Sequence, residues 1–126
     1  MDNPKFENEY ANFWIEAGIL YFVYKRDAAI DLNAAKQIVD DRIRFQQQKD
    51  YPIFCDIRGI KSIDKAARDF LAKEGSSYTK GVAVVVDTPM TKIISNFYLG
   101  LNKPIAPTKM FTERQEALNY LQQFIA

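Results

Sequence analysis

The sequence predicts an α/β domain, built on a mixed, mostly parallel sheet of about five strands with four helices. Three observations carry that expectation. Short runs of β-branched and aromatic residues alternate with segments of helical period along nearly the whole chain. The first two strand-like runs are separated only by Ala17-Gly18, which reads as a hairpin. The run from Val82 to Val86 is apolar without a break, as suits a central strand covered on both faces. Alternation of this kind implies parallel strands with right-handed crossovers, and the opening hairpin makes the sheet mixed.

The elements follow in order. Phe13 to Glu16 and Ile19 to Tyr24 form the hairpin, with Phe6, Tyr10, Phe13 and Trp14 as its packing face. Asp31 is placed to cap a helix whose apolar positions Leu32, Ala35, Val39 and Ile43 recur on one side, with Lys36, Asp40, Arg44 and Gln47 elsewhere. Tyr51 to Ile57 reads as a buried strand. Asp64 to Lys73 reads as a second helix, turning Ala67, Phe70 and Leu71 inward and stopping at Gly75. A strand starting at Lys80 leads into Thr88-Pro89, an N-cap followed by proline at the first helical position. The helix expected there carries Met90, Ile93, Ile94, Phe97, Tyr98 and Leu101 at regular spacing, a stripe read first as core. Thr108 to Phe111 is the last strand. Thr112 and Gln115 are spaced as a capping box for a final helix that buries Ala117, Leu118, Leu121, Phe124 and Ile125.

Composition narrows the function classes. The chain has 126 residues, which points to a single domain over 1–126. Its net charge is +1, which argues against nucleic acid, since a binder of phosphate backbones needs a basic excess. There is no histidine and only one cysteine. Nucleophile–histidine catalysis and ordinary zinc sites are thereby excluded, and no metal or cofactor is expected. Neither of the glycine-rich phosphate cradles occurs. Cys55 lies in an apolar run and reads as a small buried hydrophobe. No apolar stretch reaches the ~18–20 residues of a membrane span, and the polar, acidic start is unlike a secretory signal, so a cytoplasmic protein is expected.

Residues 55–72 read CDIRGIKSIDKAARDFLA: a strand end, a short loop with a glycine, and an aspartate capping a helix. This segment resembles the signature of the STAS family of sulfate-transporter and anti-sigma-factor-antagonist domains. Asp56 falls at the polar strand end, Ile60 and Ile63 at the loop hydrophobes, and Asp64 at the signature aspartate. The chain is most similar to the stand-alone bacterial branch called SpoIIAA-like or STAS/SEC14-like. The resemblance implies a STAS/SpoIIAA-like fold and a non-enzymatic role in regulation or protein–protein interaction. It departs at the phosphoacceptor serine, which here is Lys65, and Ala66 and Ala67 replace the residues after it. The fold is implied, but the kinase switch is not.

The candidate binding surface is therefore Asp56, Arg58, Ser62, Asp64, Lys65 and Arg68, charged and hydroxyl side chains around one loop and one helix start. The partner expected is a protein. The plainer reading is a helix cap in a solvated charged face. The rival function is the binding of a small apolar ligand or lipid, which the SEC14 relation implies. No catalytic residue is assigned: Asp56 and Asp87, both at strand ends, are a carboxylate pair only if they meet. The aromatic content also points to a homodimer.

Overall fold

The computed structural model describes residues 5–87 and 105–125. Its elements are β1 (Lys5–Glu7), β2 (Ala11–Glu16), β3 (Ile19–Tyr24), β4 (Ala28–Ile30), α1 (Leu32–Gln46), β5 (Tyr51–Asp56), β6 (Ile60–Ile63), α2 (Lys65–Glu74), β7 (Thr79–Val85), β8 (Thr108–Phe111) and α3 (Arg114–Leu121), followed by a 3-10 turn at Gln122–Phe124. Six strands form one sheet in the order β1-β2-β3-β5-β7-β8. The β1/β2 and β2/β3 pairs are antiparallel, and the β3/β5, β5/β7 and β7/β8 pairs are parallel. The mixed, mostly parallel sheet is as expected, with six strands rather than about five. Among the described residues there are three α-helices rather than four. The helix expected from Thr88 to Leu101 lies outside them.

The hairpin closes through a two-residue turn in which Ala17 and Gly18 both have positive φ, 52° and 82°. That is the geometry that matches strand twist, and it puts an alanine where glycine or asparagine is more comfortable. Along β3, β5 and β7 the side chains then alternate between two faces. Phe22, Tyr24, Ile53 and Val84 belong to one core, with Ala34, Ala35 and Ile38 of α1 and Ala67 of α2. Ile19, Tyr21, Phe54, Ala83 and Val85 belong to the other, with Ala117 and Leu121 of α3. The hairpin aromatics are likewise split. Phe6 and Phe13 stack at 4.7 Å on the α1 side, whereas Trp14 stacks on Tyr21 at 5.3 Å on the α3 side.

Three details differ from the sequence reading. The inward stripe of α1 is Ala34, Ala35, Ile38, Val39, Arg42 and Gln46, so two polar residues turn inward while Leu32 and Ile43, expected there, are only partly buried. The capping box does not form. Helix α3 starts one residue later, Glu113 is its first boundary residue without a side-chain bond, and Gln115 instead donates to Asn119 at 3.0 Å. Gly75 does end α2, yet with a right-handed φ of −68° rather than a left-handed cap.

A second, two-stranded sheet was missed altogether. β4 pairs in parallel with β6, each strand only three or four residues long, inside what reads as loop. Each runs directly into a helix: Asp31 caps α1 by accepting from Ala34 N–H at 2.8 Å, and Asp64 caps α2 by accepting from Ala67 N–H at 2.8 Å. The small sheet thus sets the two helix starts side by side, and the Asp64 N–H donates to the Ile30 carbonyl at 3.1 Å.

Candidate functional site

The chain from Asp56 to Leu71 has an outer and an inner side. Arg58, Lys61, Ser62, Asp64 and Lys65 are exposed. Ile57 and Ile60 are buried, and they line a partly open cavity with Ile63, Arg68 and Leu71.

The outer side is stiffly framed. Asp56 is buried at the end of β5 and accepts from Arg58 three times: from the backbone N–H at 3.0 Å, from Nε at 2.9 Å and from Nη2 at 2.7 Å. The fork-to-fork geometry aligns both groups. Bonding to Asp56 holds the Arg58 guanidinium above its ordinary pKa against partial desolvation, and the charges of Asp56 and Asp87 act in the same direction. Gly59 is required at its place, because a Cβ there would lie 2.5 Å from the Lys25 carbonyl oxygen. Lys65 reaches Asp69 one turn on, at 2.9 Å, and Arg68 donates to the Ile63 carbonyl at 2.9 Å.

The six residues singled out in the sequence therefore lie on one continuous strand–turn–strand–helix unit with distinct jobs. Asp56 and Arg58 lock the turn, Asp64 caps, Lys65 pairs along the helix, and Arg68 braces β6. Ser62 is exposed on β6 beside a shallow depression that Asp31 and Asp64 also line. Asp56 directs both carboxylate oxygens to Arg58.

The inner side is a cavity of about 110 Å³ between the sheet and helices α1 and α2. Phe22, Tyr24, Ile38, Ile53, Val82 and Val84 supply much of its wall. Cys55, half-buried, also lines it. Burial pushes its thiol up to about 12, the nearby Asp56 charge adds to the shift, and Arg42 opposes it. This thiol is a poor nucleophile at neutral pH.

Sequence reading missed the cavity and the polar group at its edge. Arg42 is 4% exposed and donates to the carbonyls of Gly75 at 3.0 Å and Ser77 at 3.2 Å, as well as to Gln46. Gln46 in turn donates to the Lys49 and Tyr78 carbonyls, both at 2.9 Å. The signal was present as two polar residues four apart on the face of Ile38 and Val39. Among the described residues no group of acidic, cysteine or histidine side chains could hold a metal, and no helix is long and apolar enough to cross a membrane.

The family model of a domain of unknown function, DUF7793, matches residues 13–125. The chain belongs to the DUF7793 family. Among solved structures it is similar to an uncharacterised DUF3478-family protein with a SpoIIAA-like fold from Shewanella loihica PV-4. The two share 12% identity over 95% of this chain and 92% of that one, with a TM-score of 0.54. A protein of unknown function from Arthrobacter sp. FB24 matches at 21% identity over 94% of this chain and 97% of that one, with a TM-score of 0.36. No curated protein matches the chain. The SpoIIAA-like fold implied by residues 55–72 is thus the fold of this DUF7793 chain, and the likeness is one of fold alone.

Proposed function

We propose that this chain is a non-enzymatic, cytoplasmic regulatory module of STAS type, a single domain over residues 1–126 that acts as a homodimer and docks a protein partner. The docking surface in this reading is the unit carrying Asp56, Arg58, Ser62, Asp64, Lys65 and Arg68. One observation carries it: the outward side chains Arg58, Lys61, Ser62 and Lys65 are exposed on a frame fixed by the Asp56–Arg58 clamp and the Asp64 cap. Side chains presented on a rigid frame lose little entropy on binding. Three of the four are cationic, so the partner surface is acidic. An acid–base enzyme is disfavoured because both carboxylate oxygens of Asp56 are committed to Arg58.

The test is a pull-down from the native host, comparing the wild type with Lys61→Glu/Lys65→Glu. Both residues are exposed and clear of the clamp, so stability should stay within about 1 kcal/mol. The double reversal is expected to lose the partner. Equal capture by both proteins would show that the surface is only a solvated charged face.

A second reading, binding of a small apolar ligand, is favoured by the cavity itself. An apolar void of ~150 Å³ suffices to bind benzene, and this one, at about 110 Å³, suits a smaller molecule. Native mass spectrometry of protein from its host should reveal a co-purified small molecule, and a bare apo mass would count against it.

A further inference from the structure

Among the described residues the six-stranded sheet ends in β1 on one side and β8 on the other. The ladder decides which backbone groups each open edge offers. The Asn8 N–H donates to the Ala11 carbonyl at 3.0 Å, two positions along from the Phe6–Phe13 pair. Antiparallel ladders alternate, so Phe6 turns its backbone groups to Phe13, while Lys5 and Glu7 turn theirs off the sheet. On β8, the Pro107 and Phe111 carbonyls accept from the N–H groups of Val82 and Val86. Lys109, midway between them, faces β7 as well, and Thr108 and Met110 face outward.

The side chains of β1 divide by face. Phe6 ends a row of stacked rings that crosses the sheet, 4.7 Å from Phe13, which lies 5.1 Å from Phe22. Lys5 and Glu7 stand together on the opposite face, both exposed. Lys5 lies over the Trp14 ring, and Glu7 meets Lys25 of its own chain with its side chain still 66% exposed.

We propose that β1 is where two copies of this chain meet, paired antiparallel about a two-fold axis at Phe6. The inference rests on the homodimer reading above and names the surface through which the copies join. In this register Lys5 of each copy lies opposite Glu7 of the other, and opposite charges directly across a ladder stabilise it. Both residues carry outward backbone groups, so each pair exchanges both of its hydrogen bonds, and two six-stranded sheets become one. Phe6 faces Phe6 of the second copy at a non-hydrogen-bonded position, where side chains approach most closely, and the row of rings continues through the axis. The β8 edge lacks this match. Its two-fold pairing, with Thr108 opposite Met110, sets Lys109 against Lys109 of the second copy, like charge on like. The contact at β1 closes at two copies.

Sedimentation equilibrium of the full chain from ~10 μM to ~1 mM covers the affinities of so small a contact. The wild type should dimerise. Lys5→Glu and Glu7→Lys each set like charges opposite one another at both pairs, and each should raise the dimer Kd about tenfold or more. An equimolar mixture of the two variants should associate as the wild type does, which also shows that neither lost association by misfolding. Lys109→Glu, on the other edge, should leave the Kd unchanged. A wild-type dimer that both reversals leave intact, that the mixture fails to restore, or that Lys109→Glu weakens is joined elsewhere: the β1 assignment is then wrong, its charges only guard the edge, and the homodimer reading stands. A wild type that stays monomeric to ~1 mM overturns both.

Discussion

The two faces of the central sheet solve the same packing problem differently. On the α3 side, large flat groups pack against one another. Tyr21 and Phe54 take the Arg114 guanidinium at 5.3 and 5.2 Å, Trp14 covers Tyr21, and the Phe124 ring lies so close to Gly81 that a Cβ there would approach it to 2.5 Å. On the α1 and α2 side the sheet presents Phe22, Ile53, Cys55 and Val84, and half of the residues that the two helices bury are alanine: Ala34 and Ala35 from α1, beside Ile38, Val39, Arg42 and Gln46, and Ala67 and Ala72 from α2. Small residues bring the helix backbones close yet leave the wall uneven, and the cavity is what remains. One face is built for stability. The other gives up some packing and keeps a partly open cavity lined by the inner side of the candidate docking unit.

That contrast is most sharply broken by paired substitutions, one on each face. Phe54→Ala removes a ring that is 1% exposed on the filled face and should cost about 3–5 kcal/mol in denaturant unfolding. Leu71→Phe adds volume on the cavity face and should change stability by less than about 1.5 kcal/mol, since the added atoms enter empty space. Equal losses in the two variants would mean that both faces are equally full.

The thiol of Cys55 sharpens the same point through pH. Its folded pKa is raised from an ordinary 9.0 to about 12, so folding favours the protonated form. The stabilisation is whole below about pH 9, where the thiol is protonated in both states. It declines above that, as the unfolded thiol ionises, and is gone once the folded thiol ionises near 12. A charged disulfide reagent at pH 8 should therefore label Cys55 only at the rate of unfolding. Rapid labelling of native protein would show that the cavity is open to bulk water.

Smaller effects belong to the frame of the outer surface. Arg58→Glu sets a second carboxylate beside buried Asp56 and should destabilise by about 1–2 kcal/mol, discounted because Arg58 is half exposed. Asp64→Ala should cost about 1 kcal/mol through the lost cap. The smallest change goes the other way. Ala17→Gly relieves an alanine held at φ 52° in the hairpin turn and should stabilise by roughly 0.5–1 kcal/mol, read as a rise in Tm.

The elements that were legible in the sequence are those whose signals are local. The hairpin was marked by its two-residue turn, β8 by its boundaries, and both Asp31 and Asp64 by their place before a helical stripe. The β4/β6 pair was not legible, because three- and four-residue strands such as Ala28–Ile30 carry no period and exist only through each other. The cavity was invisible for a related reason. Periodicity tells which residues turn inward, not whether they fill the space between them. The inward turn of Arg42 and Gln46 was not legible because their acceptors, the carbonyls of Ser77 and Tyr78, lie more than thirty residues away. The segment at 55–72 was found through its resemblance, which located the unit but not the Asp56–Arg58 clamp inside it.

Methyl NMR under xenon pressure tests the contrast most directly, because xenon enters apolar voids of this size without any demand on polar groups. The account predicts shifts at Ile53, Ile60 and Val84, which line the cavity, and none at Ile19 or Val85 on the α3 face. Shifts of equal size on both faces, or none on either, would contradict it.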